Sequence, residues 1–224
     1  MQLILERVLN DKQLRNVRQT LAGARFVDGR LSAGHDAGRV KNNEELAASR
    51  QVLELLNSTV MAALNEHEAY RAGALPLRAA SPIFARYAPG MRYGDHVDDP
   101  VMGAPGPLYR SDVSVTVFLS EPDEYDGGEL VVNSAFGQNR VKLPAGDAVV
   151  YPSSSLHHVA EVSRGERLVA ITWIQSLIRD PARRELLYTL YRAKESLLAS
   201  SPDSEEAREI NTAYVNLIRM WGEV

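Results

Sequence analysis

Cysteine is absent from the 224 residues. That removes disulfides, thiolate metal ligands and a cysteine nucleophile together, so any metal site must be assembled from histidine and carboxylate. Long apolar runs are missing as well: nowhere do ~18 apolar residues follow one another. The stretch Met1 to Val8 carries charge at Glu6 and Arg7 where an export signal would be apolar. No dense Lys/Arg tract interrupts a formal net charge of -4, which makes nucleic acid and an acidic membrane surface poor partners. Neither an internal repeat nor a low-complexity segment is present. These absences lead to the expectation of a soluble, unexported, cytoplasmic protein that acts on a small or peptide-sized substrate.

What is there suffices for one well-buried core with a small appendage, at 45% hydrophobic and 24% charged residues. Apolar positions Leu14, Val17 and Leu21 fall on one helical face between Asp11 and Ala24, and Leu53, Leu56, Val60 and Leu64 do so between Asn43 and Arg71. The spacing predicts that the chain opens with two helices, joined by a Gly-rich stretch from Phe26 to Gly34 that reads as strand or loop. From about Ser81 to Ser176 eight short β-rich runs follow: Ile83–Tyr87, Arg92–Asp98, Asp112–Leu119, Glu129–Val132, Arg140–Leu143, Asp147–Tyr151, His157–Val162 and Arg167–Gln175. Turn residues separate them, and Pro105-Gly106-Pro107 marks a longer loop after Asp98. This texture predicts a double-sheet jelly roll or barrel, mainly β with flanking helices. Asp180-Pro181 and Ser201-Pro202 then signal the starts of two C-terminal helices. In the second, Ile210, Tyr214, Leu217 and Trp221 form one apolar seam, to be covered by its neighbour or by a second copy of the chain. The expected division is 1–178 for the main domain, with its jelly-roll core at about 81–176, and 179–224 for the helical extension.

Five histidines exist. His67 sits in the polar helical tail Asn65-Glu66-His67-Glu68, where a solvated surface role is expected, and His35 follows the Gly-rich loop with no ligating partner in view. His96, His157 and His158 lie in the β region. In His96-Val97-Asp98, residues two apart on a strand project to one face, so an imidazole and a carboxylate can converge on one ion; the same spacing prefers Asp98 to Asp99. A third ligand must come from elsewhere. Two histidines and one carboxylate leave three adjacent coordination positions open, which suits iron(II). Standing alone the pair could equally be a hydrogen-bonded structural contact. Arg167, ten residues after His157, shares a strand face with Val169, Ile171 and Trp173. If that face is the barrel interior, Arg167 is a buried cation in need of an anion, which a dicarboxylate supplies through a bidentate pair. Otherwise it is a surface arginine beside Glu161 and Glu166.

Arg86-Tyr87-x5-Tyr93-x2-His96-x-Asp98, the turn Tyr125-Asp126-Gly127-Gly128-Glu129-Leu130, the run Tyr151-Pro152-Ser153-Ser154-Ser155-Leu156-His157, and Arg167 together resemble the prolyl/lysyl-hydroxylase-type (PKHD) iron(II)/2-oxoglutarate oxygenases. The bacterial iron-uptake-associated branch is the nearest match. Val27-Asp28-Gly29-Arg30 and Val40-Lys41-Asn42-Asn43 fit that branch's early signature, so the resemblance spans nearly the whole chain. It implies a double-stranded β-helix with N-terminal helices packed on it and a C-terminal helical hairpin. It implies iron(II) on His96, Asp98 and His157, 2-oxoglutarate anchored by Arg167 with Tyr87 lining its pocket, and L-ascorbate as reductant. Tyr93 and Trp173 become candidates to line the pocket. Chemistry alone leaves His157 and His158 open, since adjacent strand residues face opposite ways; the family pattern selects His157. One departure is Glu161, where the family often has proline, and it touches a turn instead of a ligand.

The implied activity is hydroxylation of an unactivated C–H bond in a peptide or protein side chain or a siderophore-like small molecule, with succinate and CO2 as co-products. A non-catalytic module sensing iron or 2-oxoglutarate is the alternative from a different class. A zinc hydrolase or cupin-like isomerase fits less well, because no general base is evident and Arg167 would have no purpose.

Overall fold

The computed structural model describes the chain apart from residues 104, 105 and 107 and the side chains of residues 35 and 36. Pro105 and Pro107 of the expected loop, and the imidazole of His35, lie outside the described residues. Two antiparallel sheets face each other. The larger has eight strands, in the order Leu3–Leu5, Ala148–Pro152, Val113–Phe118, Arg167–Ser176, Ile83–Tyr87, Glu44–Ala47 and Arg25–Asp28, with Pro76–Ala79 also on the long Arg167–Ser176 strand. The smaller orders Gly137–Val141, Leu130–Ser134, His157–Val159, Arg92–His96 and Lys41–Asn42. Two short ribbons, Tyr125–Gly127 with Val162–Gly165 and Val101–Met102 with Tyr109–Arg110, close the ends. The result is a mainly β jelly roll with flanking helices.

The larger sheet is covered on both faces, and its strands are composed accordingly. All six residues of Val113–Phe118 are buried. Val113, Val115 and Val117 join Val150, Ala170 and Ile174 against α1 (Asp11–Ala22), α3 (Arg50–Glu66) and α4 (Glu68–Ala74), through Val17, Leu21, Leu56, Val60, Leu64 and Tyr70. The alternate residues Thr116 and Phe118 face inward, and Phe118 packs with Tyr87, Val149, Tyr151 and Val169 against Leu130, Val132 and Val159 of the smaller sheet.

Local signals set the helix starts. Asn10 accepts from the backbone N–H groups of Lys12 and Gln13 while the Gln13 side chain accepts from Asn10, a reciprocal cap for α1. Asp180 accepts from Ala182 and Arg183 at the head of α5 (Pro181–Ser200), as its sequence predicts. Several boundaries differ from expectation. The chain opens with a strand, because Leu3–Leu5 completes the edge beside Ala148–Pro152. The span from Asn43 to Arg71 is not one helix: Glu44–Ala47 bridges Arg25–Asp28 and Ile83–Tyr87, Ser49 caps α3, and His67 interrupts it before α4. His67 is half-buried, its Nε2 against the Glu6 carbonyl, in place of the expected solvated position. After the Gly-rich stretch a short helix α2 (His35–Val40) leads into the Lys41–Asn42 strand. The run from His157 to Val162 divides where the chain leaves the smaller sheet for the ribbon with Tyr125–Gly127.

The last helix, α6 (Glu205–Trp221), starts later than Ser201-Pro202 indicates, because the Ser204 hydroxyl accepts from Ala207 N–H. Three of its four seam residues, Tyr214, Leu217 and Trp221, pack within the chain. Tyr214, Leu217, Ile218 and Trp221 meet Leu187, Leu190 and Tyr191 of α5 over Leu75 and Ile178. Arg184, buried on α5, donates to the carbonyls of Ile178, Arg179 and Asp112, tying the hairpin to the end of the long strand. Trp221 is only partly buried, with the Arg183 guanidinium 5.2 Å over its ring. Trp221→Ala is therefore expected to cost about 1–2 kcal/mol, well under the ~3–5 kcal/mol of a fully buried ring. Thermal denaturation should record a midpoint lowered by roughly 3–6 °C.

Candidate metal centre

Strand pairing assembles the centre. His157 on His157–Val159 lies directly opposite His96 at the end of Arg92–His96, and their ring centroids are 4.3 Å apart. Asp98 lies two residues beyond the strand end. Beyond the strand end the alternation continues, with Val97 exposed and the Asp98 carboxylate turned in with His96. Asp98 Oδ1 stands 3.9 Å from His96 Nε2 and 3.8 Å from His157 Nε2, and the three donor atoms lie within 4.8 Å of one another. Among the described residues no other such group of histidines and carboxylates occurs.

The protons are placed by acceptors that cannot donate. His96 Nδ1 is 2.8 Å from the Gly94 carbonyl and His157 Nδ1 is 2.9 Å from that of Ser155. Each Nδ1 must therefore carry the hydrogen, which leaves the Nε2 lone pair facing Asp98. Burial, with His157 adding to it, lowers the His96 pKa to about 4, so the ring is a neutral donor at pH 7. Tyr93 stacks on His96 at 3.7 Å, and Tyr151 meets His157 edge-on at 5.1 Å. His158 turns away and faces Asp95 at 2.7 Å.

A second relay, not anticipated from sequence, orients the carboxylate. Buried Ser114 donates to Asp98 Oδ2 at 2.5 Å, which directs Oδ1 to the two imidazoles. Ser114 Oγ is also 2.7 Å from Ser153 Oγ, and since a hydroxyl has one hydrogen, Ser153 is the donor in that pair. The only available signal was the Ser153-Ser154-Ser155 run itself, which supplies both this hydroxyl and the carbonyl behind His157.

From the three donors a chamber runs inward to Arg167, walled by Tyr87, Thr116, Leu130, Tyr151, Val159 and Ile171. Arg167 is 1% exposed, and its Nε and Nη1 have no hydrogen-bond partner. Tyr87, paired with it across the strands, and Phe118 lie under its guanidinium at 5.0 and 5.5 Å. The carboxylates nearest in sequence are engaged elsewhere, Glu161 with Arg92 and Glu166 with Arg86. Tyr125 reaches the same end, its buried hydroxyl beside the Arg167 guanidinium, and burial raises its pKa against the opposing pull of Arg167. Gly128, at a φ of +67°, permits this approach: a Cβ there would lie 3.0 Å from the Tyr125 ring and 3.1 Å from the Arg167 side chain. A buried cation with idle donors is costly unless an anion joins it, so this end of the chamber fits a carboxylate as the other end fits a divalent metal.

Outward, the donors open into a cleft of about 470 Å³, within the range of small-molecule sites. Tyr93 and Trp173 line both cleft and chamber. Lys41 and Asn43 of the early signature, with Ser32 and Glu45, line one wall of the cleft, where Lys41 Nζ is held by Glu45 at 2.5 Å and Ser32 at 3.0 Å.

A family profile described as the 2OG-Fe(II) oxygenase superfamily matches residues 82–175, and one described as the PKHD-type hydroxylase C-terminal domain matches residues 181–223. PKHD-type hydroxylase Tgr7_2199 of Thioalkalivibrio sulfidiphilus (strain HL-EbGR7) is 54% identical over 224 residues, 100% of both chains. PKHD-type hydroxylase YbiX of Shigella dysenteriae serotype 1 (strain Sd197) is 44% identical over 218 residues, 97% of each. A solved prolyl hydroxylase from Trichoplax adhaerens, in complex with a hypoxia inducible factor oxygen degradation domain peptide fragment, shares the fold. Its TM-score is 0.55 at 17% identity, over 83% of this chain and 86% of that one. A full-length match of this strength makes the chain a member of the PKHD-type hydroxylases within the 2OG-Fe(II) oxygenase superfamily, an iron(II)- and 2-oxoglutarate-dependent dioxygenase.

Proposed function

We propose that His96, Asp98 and His157 hold the iron(II), that Arg167 with Tyr87 binds the distal carboxylate of 2-oxoglutarate, and that the outer cleft presents a substrate C–H bond for hydroxylation. The observation that carries this reading is the pair of unsatisfied guanidinium donors in a chamber whose other end is the three-donor cluster. When bound, iron(II) supplies activation of dioxygen coupled to oxidative decarboxylation of 2-oxoglutarate, giving succinate and CO2.

The chain's own residues do the positioning. Ser153 and Ser114 hold Asp98 with one oxygen free, and the Gly94 and Ser155 carbonyls fix both imidazoles in the ligating tautomer. Arg167 is set deep and dry, where a bidentate carboxylate contact is strong and bulk water cannot compete. Arg86 and Arg110, the other arginines of this region, are engaged in ion pairs with Glu44 and Glu166 and with Asp112 and Glu223. Residues 1–178 form the dioxygenase unit on this reading, and 179–224 its helical extension. The substrate is a peptide or protein side chain or a small molecule, and the Trichoplax enzyme's complex with a peptide fragment favours the former. By family resemblance the reading extends to L-ascorbate as reductant and to a cytoplasmic role linked to iron uptake. A homodimer through the C-terminal helices would draw on exposed apolar residues such as Leu186, Val215 and Met220, at 53%, 43% and 73%, because Tyr214, Leu217 and Trp221 of the seam pack within the chain.

Three sets of variants test the assignment. His96→Ala, Asp98→Ala and His157→Ala should each abolish tight metal binding and 2-oxoglutarate turnover, whereas His158→Ala should keep both; a metal-free His158→Ala protein would move the ligand by one residue. Ser114→Ala should weaken metal affinity by about 10–100-fold, as loss of a ligand-orienting hydrogen bond does, read by anaerobic titration against a chelator. Arg167→Ala should weaken 2-oxoglutarate binding by roughly 2–5 kcal/mol with metal affinity preserved, and Arg167→Lys should recover only part because an ammonium lacks the planar fork. Anaerobic 2-oxoglutarate titration of the iron-loaded variants, followed by the charge-transfer band, provides the measurement, and wild-type affinity in Arg167→Ala would overturn the anchor.

A further inference from the structure

Tyr93 and His96 are three residues apart, a spacing that strand alternation would send to opposite faces. A β-bulge at Gly94-Asp95 brings both inward: the pairing advances two residues from His157 to Val159 while it advances three between Tyr93 and His96. The two rings stack as a result, with centroids 3.7 Å apart and planes 13° from parallel. Glycine is required at residue 94 because Val40 lies against it, 2.9 Å from where a Cβ would stand. The Gly94 carbonyl also fixes the His96 tautomer. One hydrogen bond leaves rotation of the imidazole about its Cβ–Cγ bond soft, since terminal sp3–sp2 torsions are broad. The face of Tyr93 closes off that freedom.

Tyr93 must itself be held, because it is only half-buried where cleft and chamber meet. Lys41, its register partner on the neighbouring strand, places its ammonium 5.4 Å from the centre of the Tyr93 ring. A cation is drawn to an aromatic ring most strongly where water is excluded, and the Lys41 and Glu45 side chains are only 8% and 13% exposed. Glu45 and Ser32 hold the ammonium in place. Lys41 is not among the described residues lining the chamber, and Glu45 satisfies its charge, so neither the co-substrate nor another anion accounts for it. The rest of the early signature secures this lysine's strand. Gly29 N–H donates to the Asn43 carbonyl at 2.9 Å, and the Asn43 side chain fills the space that a Cβ at residue 29 would need.

We propose that Lys41 is a positioning residue of the metal centre: its ammonium fixes the Tyr93 ring, and that ring fixes the His96 imidazole in the orientation that ligates. This rests on the ligand set proposed above, and the test separates the two. Lys41→Met is made together with Glu45→Gln, so that no carboxylate is left unpaired, and zinc(II) affinity is read by competition with a chelator in the absence of 2-oxoglutarate. The double variant should bind zinc(II) about 10-fold more weakly, the scale on which groups behind a metal ligand act. Lys41→Arg, which keeps the cation, should retain most of the affinity. In a Tyr93→Leu background the same double change should weaken binding by less than about twofold, because the ring through which it acts is gone.

A ring signal reports the orientation itself. With histidine labelled at Cε1, the zinc-loaded protein gives one signal for each of its five histidines. His96 is shielded by the stacked Tyr93 ring, and its signal is the one that moves downfield in Tyr93→Leu. The double variant should move the same signal part of the way, and Lys41→Arg should leave it in place. A loss of affinity that persists in full in the Tyr93→Leu background would overturn the proposal. So would a zinc affinity and a His96 signal that both stay unmoved in the double variant, even beside a lowered thermal midpoint, which marks a merely structural ion pair. Undiminished zinc binding in His96→Ala would overturn the ligand set and this inference with it.

Discussion

An antiparallel register cannot slip by one residue without turning every side chain to the other face, and the centre of this protein depends on one such register. His157–Val159 lies between Leu130–Ser134 and Arg92–His96, placing Val132 and His96 on either side of His157. A slip would exchange His157 for His158, which now faces Asp95 outside. The buried apolar set of the smaller sheet, Leu130, Val132 and Val159, holds the register by its own need for cover. The same packing that stabilises the barrel therefore selects between two adjacent histidines.

The larger sheet bears a different constraint. Its strands must be apolar where they meet the helices and polar where they line the site. Val113–Phe118 satisfies both with alternating Val113, Val115 and Val117 outward and Ser114 and Thr116 inward. Arg167–Ser176 does likewise, with Ala170 and Ile174 against the helical layer and Arg167, Ile171 and Trp173 in the cavity. Polar groups inside a dry barrel are tolerable only when paired. Ser114 is paired with Asp98 and Ser153 with Ser114, whereas Arg167 keeps idle donors. Unsatisfied groups that converge on one cavity describe the ligands that enter it.

Segments outside the barrel finish the cavity. The segment from Arg25 to Ala47 adds strands to both sheets, and its residues between Leu31 and Glu45 close one wall of the cleft around the Lys41–Glu45 pair. None of the described residues lining the cavity belongs to the C-terminal hairpin, and Arg184 and the Glu223 backbone N–H anchor it to residues 177–179 at the end of the long strand. Its contribution is therefore to the stability of the strand that carries Arg167 and Trp173.

The sequence by itself determined the β-rich core, the strands Ile83–Tyr87 and Arg167–Ser176 almost to the residue, the Asp180-Pro181 helix start and the residue types of the centre. The fold features rest on local physics, alternation and capping chemistry, while the centre was legible through the whole set of motifs and not through the histidine–carboxylate spacing alone. It did not determine that Leu3–Leu5 and Glu44–Ala47 are strands, because Leu3–Leu5 is an edge held by a partner about 145 residues away and Glu44–Ala47 is placed in the sheet by one about 40 residues away, and no local pattern encodes a distant neighbour. Nor did it reveal Ser114, Ser153 or Tyr125, whose roles exist only where separate strands bring a hydroxyl to a carboxylate or a phenol beside a guanidinium. Only the tertiary structure decided that Arg167 is buried without a counter-ion, since burial is a property of the assembled sheets and not of the arginine.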